Sequence, residues 1–376
     1  MNDLPYKKQP RSIWPSSYAP RCYPEIDMAH TPDPFTSALK RILEERLPLS
    51  RDEARTLLNY ILDVDDFGSE IRVSALLGAL AARGETEDEL AGFIDTLRAR
   101  STPIPLEASE RARLVDTCGT GGDLSGTFNI STAAGLVAAA AGAWVAKHGN
   151  RAVTSRCGSA DVLEAMGIPV DQSPASAAVA LRTHGFAFLP APALQPAMKS
   201  VMPIRRALGV RTMFNILGPM TNPAGAEAQL LGVYAPRMVP IVAATLAKLN
   251  TRHAFVVHGS GMDEFSISGP TIVGEVLGEE AQFGTILPEA FGLPIAPVEH
   301  LAGGDAETNA AILHSIFAGE KGGRRDVVVM NAAAVLITAG LAEDFLDGAR
   351  LAQVTIDSGK VTRLVADLTE SRPEAS

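Results

Sequence analysis

The stretch that decides the fold runs from Val115 to Arg151 and reads VDTCGTGGDLSGTFNISTAAGLVAAAAGAWVAKHGNR. Its first apolar residues resemble a buried strand and break into a glycine-rich segment over 119–123. An alanine-rich run over 133–141 then predicts a helix, and 143–146 predicts a second strand. The stretch therefore predicts a strand, loop, helix and strand in succession, the repeating unit of an α/β domain.

Three features of this unit suit a bound phosphate. Three glycines among residues 119–122 let the backbone approach a ligand closely, so that successive N–H groups can converge on an anion. Ser131 and Thr132 open the helix, whose first N–H groups and positive dipole end also favour negative charge. Cationic or hydrogen-bonding side chains follow the second strand, namely Lys147, His148 and Arg151.

Each feature alone has a simpler interpretation. A Gly-Thr-Gly-Gly sequence is often only a tight turn, Asn-x-Ser-Thr only a helix cap, and Lys-His-Gly-Asn-Arg only a polar loop. Together they lie at the carboxyl ends of consecutive strands, where open α/β sheets bind ligands, and this favours a phosphate site. The glycine pattern matches neither the P-loop nor the dinucleotide-binding signature.

An acidic pair, Asp263-Glu264, lies on a second glycine-rich segment after the apolar run 254–257. Adjacent carboxylates together with substrate phosphate oxygens are typical of a Mg²⁺ site. A solvated acidic turn is the alternative, and it would be favoured if the phosphate loop were absent. Beside that loop, the pair predicts a metal site.

The net charge of the chain is −10, so local cations must hold any phosphorylated substrate. A third segment, 196–223, contributes several of them and contains the sequence RTMFNILGPMTNP from Arg211. The candidate cations are Lys147, Arg151, Lys199, Arg205, Arg206 and Arg211.

Six motifs in this order closely resemble those of the anthranilate phosphoribosyltransferase family of tryptophan biosynthesis. They are G-T-G-G-D, N-x-S-T, K-H-G-N-R, G-S-A-D-V-L-E, R-T-x-F-N-x-L-G-P-x-T-N-P and the D-E pair, in register along nearly the whole chain after about Pro34. The resemblance implies a glycosyltransferase that joins anthranilate to C1 of 5-phosphoribosyl 1-pyrophosphate. The products would be N-(5-phosphoribosyl)anthranilate and pyrophosphate.

The resemblance also implies which residues of this chain bind the donor. They are Gly119, Thr120, Gly122, Asp123, Thr127, Asn129, Ile130, Ser131, Thr132, Lys147, Gly149, Asn150, Arg151, Ser155 and Ser159.

Further roles follow from the same resemblance. Mg²⁺, as two ions accompanying the donor, would be held by Ser131, Asp263 and Glu264. Lys147 would neutralise the leaving group, and His148 is the one candidate for a general base, although a neutral aromatic amine demands none. The implied anthranilate contacts are Gly119, Asn150, Arg205, His148 and Gln195.

The chain departs from the family pattern at a few positions. Gln195 stands where the family commonly has His near the aromatic acceptor. Glutamine can still form hydrogen bonds there, but it lacks the titratable ring of histidine. Thr154 and Arg156 retain the hydroxyl and the charge that are usual there. Cys157 replaces a serine, and we expect a buried, neutral thiol.

Composition sets limits on the class of protein. With 46% hydrophobic and 20% charged residues among 376, the chain predicts a soluble globular protein. Three cysteines without paired spacing favour a reducing cytoplasm. No apolar run approaches the roughly 18 to 20 residues that span a bilayer, and there is no basic stripe for nucleic acid. We therefore expect neither membrane nor nucleic-acid partners.

The chain divides into three predicted parts. Residues 1–34 are rich in proline and aromatic residues and predict a poorly ordered tail. Residues 35–105 predict a small helical domain, joined by helices near 195–210, with capping boxes at Ser50 and Thr86. Residues 106–372 predict an α/β domain with a central, largely parallel sheet. The family resemblance implies a homodimer formed through the helical domain.

Two other functions are alternatives on the sequence alone. Pyrimidine nucleoside phosphorylases share this architecture and transfer ribosyl groups to phosphate, but they lack the R-T-x-F-N-x-L-G-P segment and the acidic pair. A catalytically silent scaffold or nucleic-acid binder is disfavoured by the acidic balance and the intact set of candidate residues.

Overall fold

The computed structural model of the protein describes residues 33–63, 67–123, 125–152 and 156–371. Nearly all of the predicted tail, together with Thr154 and the candidate donor residue Ser155, lies outside the described residues. The residues from Pro34 onward group into one unit.

Four helices form the first part of the described chain. Two of them begin at the predicted capping boxes, where the Ser50 and Thr86 side chains accept hydrogen bonds from the backbone N–H groups of Glu53 and Glu89. Each cap satisfies N–H groups that the first helical turn leaves without a partner. The four helices are α1 (Pro34–Leu43), α2 (Arg51–Leu62), α3 (Phe67–Arg83) and α4 (Glu87–Ala99).

A sheet of seven strands is the centre of the α/β part of the described chain. Its order is β3-β2-β1-β4-β5-β6-β7; the first five are parallel, and β6 and β7 join antiparallel to β5 as a hairpin. The predicted combination of a helical domain with a largely parallel sheet is confirmed. The strands are β1 (Leu114–Gly119), β2 (Trp144–Gly149), β3 (Phe186–Pro190), β4 (Ala228–Gly232), β5 (His253–Gly259), β6 (Thr271–Leu277) and β7 (Glu280–Ile286).

Helices connect the parallel strands and cover the sheet. None of the described helices is long and apolar enough to cross a membrane. The helices of the α/β part are α5 (Ala108–Arg111), α6 (Ile130–Ala140), α7 (Ser159–Ala165), α8 (Pro174–His184), α9 (Ala191–Leu194), α10 (Met202–Leu208), α11 (Phe214–Leu217), α12 (Met238–Lys248), α13 (Ala306–Phe317), α14 (Gly323–Thr338), α15 (Phe345–Asp357) and α16 (Lys360–Glu370).

Alternation along the strands separates the hydrophobic cores. Leu230 and Leu231 are neighbours in β4, yet the first packs in a core with α6 and α14 and the second packs with α12. This follows from the two-residue period of a strand, which sends successive side chains to opposite faces. The core that contains Leu231 also includes the apolar residues of α1 to α4, so the helical part packs on the sheet through α12.

Strand β2 is longer than predicted. It runs to Gly149 and so includes Lys147 and His148, which the sequence placed in a loop after the strand. Both side chains are buried, at 1% and 6% exposure. The strand is extended because this part of its backbone pairs in parallel with β3, Lys147 opposite Phe188 and His148 opposite Leu189.

Candidate active site

Four parallel strands end in glycine at the same edge of the sheet, namely β1, β2, β4 and β5. A Cβ atom on Gly119 would overlap the carboxylate of Asp263, and one on Gly232 would overlap the Asp263 backbone. These glycines therefore let the acidic segment lie directly against the ends of the strands.

The glycine-rich loop and the acidic pair are in contact. The Gly121 N–H donates to Oδ2 of Asp263 at 2.7 Å, and Gly121 and Gly122 have φ values of 66° and 75°. The backbone N–H of Asp263 in turn donates to Oδ2 of Asp123 at 3.3 Å. Residues 142 positions apart in the chain thus share one small region, as the phosphate hypothesis requires.

Glu264 lies at the beginning of helix α6. Its Oε1 accepts a hydrogen bond of 3.0 Å from the backbone N–H of Ser131, in the first turn of that helix. The positive end of the helix dipole favours a carboxylate at this position. The proposed metal-ligand residues Ser131, Asp263 and Glu264 are therefore brought together.

Burial and like charge raise the pKa values of the acidic pair. Burial, with the charge of Asp123, raises the pKa of Asp263 to about 7. Burial and the charge of Asp263 raise the pKa of Glu264 well above its usual range. Neighbouring carboxyl groups that are costly to ionise fit a divalent cation, which would favour their charged form.

The described residues offer two adjacent carboxylates to such a metal site, Asp263 and Glu264. Within the described ranges, no group of three or more His, Cys, Asp or Glu residues forms a cage for a metal ion. Mg²⁺ usually takes one or two carboxylates and completes its shell with waters and substrate phosphates, so the pair suits an ion that arrives with a phosphorylated substrate.

Lys147 places its ammonium group beneath this region. Its Nζ donates to the carbonyl oxygen of Thr117 at 2.6 Å and to Oγ of Ser131 at 3.3 Å. Burial lowers the pKa of Lys147, while the charges of Asp116 and the acidic pair oppose that shift. The side chain thus links the ends of β1 and β2 to the beginning of α6.

A buried carboxyl group that sequence reasoning missed ties these strands to a third segment. Asp116 Oδ1 accepts from the backbone N–H of His148 at 3.2 Å, and its Oδ2 accepts from Nδ2 of Asn222 at 2.8 Å. Asn222 Nδ2 also donates to the carbonyl oxygen of Ala146 at 2.7 Å. The signal in the sequence was Asn222 itself, the last asparagine of the R-T-x-F-N-x-L-G-P-x-T-N-P motif.

His148 is neutral at pH 7 in this environment. Burial lowers its pKa to about 4, with a smaller contribution from the charge of Lys147. Its Nε2 is buried and has no hydrogen-bond partner among the described residues. The ring can accept a hydrogen bond there but would hold a proton only weakly.

The residues at the beginning of α6 contact two later segments of the chain. Asn129 precedes the helix, and its side chain donates to the Cys157 carbonyl oxygen at 3.3 Å and accepts from Asn309 at 2.9 Å. Thr127 forms an isolated bridge with Ala302. Ile130 and Thr132 are buried in the first helical turn, whereas Ser131 is partly exposed.

The segment after β2 lies beside α7. The Ser159 hydroxyl donates to the Asn150 carbonyl oxygen at 3.2 Å, and a Cβ on Gly149 would overlap that hydroxyl. Arg151 is exposed and donates to Glu164 at 2.7 Å, so its guanidinium is engaged by α7. Arg156 is exposed, and burial raises the pKa of Cys157 to about 11, as expected for a neutral thiol.

The predicted acceptor residues Arg205, within the third segment, and Gln195, just before it, both contact later residues of that segment. The Arg205 guanidinium lies 5.4 Å from the centre of the Phe214 ring, and Nε2 of Gln195 donates to the Thr221 carbonyl oxygen at 3.0 Å. Oε1 of Gln195 is buried and unpartnered among the described residues. Arg211 of the same segment reaches the glycine-rich loop and donates to the Gly122 carbonyl oxygen.

The other cations of the predicted cluster are less engaged. Lys199 and Arg206 are exposed, whereas Arg205 is half-buried. Arg211 lies 4.5 Å above the Tyr234 ring, and the Tyr234 N–H donates to Oγ1 of Thr120 at 3.0 Å. Arg211 and Tyr234 thus contact the glycine-rich loop at Gly122 and Thr120, in addition to the contact that Asp263 makes at Gly121.

Comparison with known protein families agrees with this architecture. The model for the α/β domain of a glycosyl transferase family matches residues 111–362, and the model for its helical bundle domain matches residues 36–101. The fold and the glycine-rich site thus define the class of two-domain glycosyl transferases.

Individual relatives narrow this class. The anthranilate phosphoribosyltransferase of Anaeromyxobacter sp. (strain Fw109-5) is 49% identical over 333 residues, which cover 88% of this chain and 97% of the relative. The crystal structure of the Thermus thermophilus enzyme of that name has a TM-score of 0.81 at 40% identity, covering 89% of this chain and 98% of its own. The chain belongs to the anthranilate phosphoribosyltransferase family.

A further relative is informative about ligands. The anthranilate phosphoribosyltransferase from Saccharomyces cerevisiae, in complex with PRPP and Mg, has a TM-score of 0.80 at 27% identity, covering 90% of this chain and 98% of its own.

Proposed function

We propose that this protein transfers the phosphoribosyl group of 5-phosphoribosyl 1-pyrophosphate to anthranilate, with release of pyrophosphate. One observation carries the proposal: the glycine-rich loop, Lys147, the beginning of α6 and the acidic pair form one connected network. Backbone N–H groups, an ammonium group and two carboxylates within reach of one molecule suit a Mg²⁺-bound pyrophosphate.

Leaving-group stabilisation is the first task of such a site. Breaking the bond at C1 leaves positive charge on the ribosyl ring and concentrates negative charge on the departing oxygens. N–H groups of the glycine-rich loop, with Lys147 below them, would bind those oxygens. Ser131, Asp263 and Glu264 would hold Mg²⁺, which supplies charge neutralisation when bound.

Positioning of the nucleophile is the second task. The Arg205 guanidinium would take the anthranilate carboxylate through a planar fork, and Gly119, Asn150, His148 and Gln195 would line the acceptor site. The aromatic amine, neutral at pH 7, would form its bond to C1 as the C1–O bond to pyrophosphate breaks, and its surplus proton would pass to solvent after the new bond has formed. Because His148 has a pKa of about 4, we assign it a hydrogen-bonding role and assign no strong base.

Several finer features belong to the same proposal. Two Mg²⁺ ions would accompany the donor, and the reaction would serve tryptophan biosynthesis in the cytoplasm, where the buried free thiols Cys118 and Cys157 stay reduced. The chain would consist of a helical domain at 35–105 and an α/β domain at 106–372. A homodimer would form through the helical domain. The remaining donor contacts would be Thr120, Gly122, Asp123, Thr127, Asn129, Ile130, Thr132, Gly149, Arg151, Ser155 and Ser159.

A direct assay tests the proposal. We expect fluorescence of the phosphoribosyl-anthranilate product only when the donor, anthranilate and Mg²⁺ are all present. Phosphorolysis of uridine without that product would favour a pyrimidine nucleoside phosphorylase, and binding of duplex nucleic acid without catalysis would favour a silent relative.

A further inference from the structure

We propose that Asn331 is a positioning residue that fixes the acidic pair against the strand ends. The inference rests on the proposed function for the role of the pair, but the anchoring itself rests on geometry alone. Asn331 lies in α14, 66 positions from Phe265 in the chain, and its side chain is fully buried.

The side-chain amide of Asn331 pairs with the backbone of the residue that follows the acidic pair. Oδ1 accepts from the Phe265 N–H at 3.0 Å, and Nδ2 donates to the Phe265 carbonyl oxygen at 3.1 Å. Nδ2 also donates to the Val327 carbonyl oxygen one turn back in the helix, at 2.9 Å. The amide therefore satisfies both backbone groups of Phe265, as a neighbouring strand would.

The chain is also held just before the pair. The N–H groups of Gly259 and Met262 each donate to the other's carbonyl oxygen at 2.9 Å. Asp263 and Glu264 thus lie between two residues that are each held by a pair of hydrogen bonds. Met262 is held by Gly259 at the end of β5, and Phe265 is held by Asn331. This leaves the two carboxylates little freedom to turn away from the glycine-rich loop.

The residue type follows from the geometry. An amide offers a donor and an acceptor side by side, whereas aspartate offers only acceptors and leucine offers neither. Phe265 is itself fixed in an aromatic cluster, with its ring centre 5.4 Å from that of Phe291 and 6.2 Å from that of Phe255. The apolar packing places Phe265, and the amide of Asn331 sets the orientation of its backbone.

Substitution of Asn331→Leu tests this role. Thr338→Val is the control, because Thr338 is equally buried in α14 and loses one hydrogen bond to the Val335 carbonyl oxygen. The test is to measure Mn²⁺ binding by electron paramagnetic resonance, with the phosphoribosyl donor present and anthranilate absent. Loss of outer-shell support typically weakens metal affinity 10- to 100-fold, so we expect Kd to rise about tenfold or more in Asn331→Leu and to stay unchanged in Thr338→Val.

Steady-state kinetics separate positioning from general destabilisation. We expect the half-saturating Mg²⁺ concentration of Asn331→Leu to rise while its KM for anthranilate stays within about twofold of the wild-type value. A variant that melts earlier but binds Mn²⁺ as tightly as Thr338→Val would overturn the proposal. Absence of Mn²⁺ binding in the wild-type protein would instead count against the proposed function.

Hydrogen exchange on the wild-type protein needs no variant. Because the Phe265 N–H donates to a buried side chain, we expect it to exchange at least about 100-fold more slowly than an exposed loop amide, without any ligand. Exchange as fast as that of a loop amide would show that Asn331 does not anchor this segment, whatever the activity.

Discussion

Gly119 lies directly against the carboxylate of Asp263, so a side chain at position 119 would require that carboxylate to move. A Cβ atom on Gly119 would overlap the Asp263 carboxylate, which also accepts the hydrogen bond from Gly121. The end of β1 and the Asp263 side chain therefore fit together only while residue 119 is a glycine or the carboxylate is displaced.

Substitution of Gly119→Ala should displace the Asp263 carboxylate. A misplacement of about 1 Å can cost on the order of 100-fold in rate, and we expect a loss of that size in kcat/KM for the donor. Gly78→Ala is the control, because its Cβ would have no atom within 4 Å in helix α3. Steady-state kinetics of both variants check the prediction, and a Gly119→Ala enzyme as active as Gly78→Ala would contradict it.

Neutralising the acidic pair should separate activity from stability. Asp263→Asn with Glu264→Gln should raise the half-saturating Mg²⁺ concentration about tenfold or more, with a smaller effect on anthranilate affinity. Tm without ligand should stay level or rise, because two desolvated, mutually repelling carboxyl groups are removed.

Kinetic titration with Mg²⁺ and thermal melts measure these two effects. The matched control is Glu279→Gln with Glu280→Gln, an adjacent pair of exposed carboxylates where the turn after β6 meets the first residue of β7. Unchanged Mg²⁺ dependence in the first double variant would argue against the metal assignment.

Removing the Arg205 guanidinium should weaken acceptor binding. Loss of a charge-assisted pair worth about 1.5–3 kcal/mol raises the anthranilate KM by roughly one to two orders of magnitude in Arg205→Ala. Arg206→Ala, which alters the adjacent exposed side chain, should leave the KM for anthranilate unchanged. An Arg205→Ala enzyme with the wild-type KM would exclude Arg205 from the acceptor site.

The imidazole of His148 should make folding stability depend on pH. Its pKa of about 4 in the folded protein lies below the usual value of 6.5, so the unfolded chain binds one more proton between these values. The stabilisation of the folded state by the neutral imidazole is therefore complete above pH 6.5. It is lost as the pH falls toward 4, which lowers the free energy of unfolding by about 3 kcal/mol in total.

Denaturant unfolding at a series of pH values tests this contribution against His148→Gln, which does not titrate there. We expect the wild-type stability to fall more steeply than that of the variant between pH 6.5 and 4. Parallel pH profiles would mean that His148 is not held neutral by burial.

Local signals predicted much of the fold. The capping boxes at Ser50 and Thr86 depend on residues three positions apart, so they can be read directly from the sequence. The glycine-rich loop was recognisable because close backbone approach restricts the residue type. The antiparallel hairpin of β6 and β7 was not predicted; its tight turn contains Gly278 with φ of 62°.

Tertiary partners explain what the sequence could not reveal. Lys147 and His148 look like the start of a loop, because a strand that buries an ammonium group is costly unless partners are supplied. Those partners, Thr117 and Ser131, belong to other elements. Asp116 was overlooked for the same reason, since its partner Asn222 lies 106 positions away.

The shared core of the helical part and α12 links the two regions energetically. Apolar residues of α1 to α4 are buried together with Val239 and Val242 of α12 and with Leu231 and Val256 of the sheet. Excising the helices would strip α12 of its covering, so calorimetry should record a single endotherm for both regions. For the same reason, chimaeras that exchange the helical region between relatives should be viable only when the α12 surface is exchanged with it.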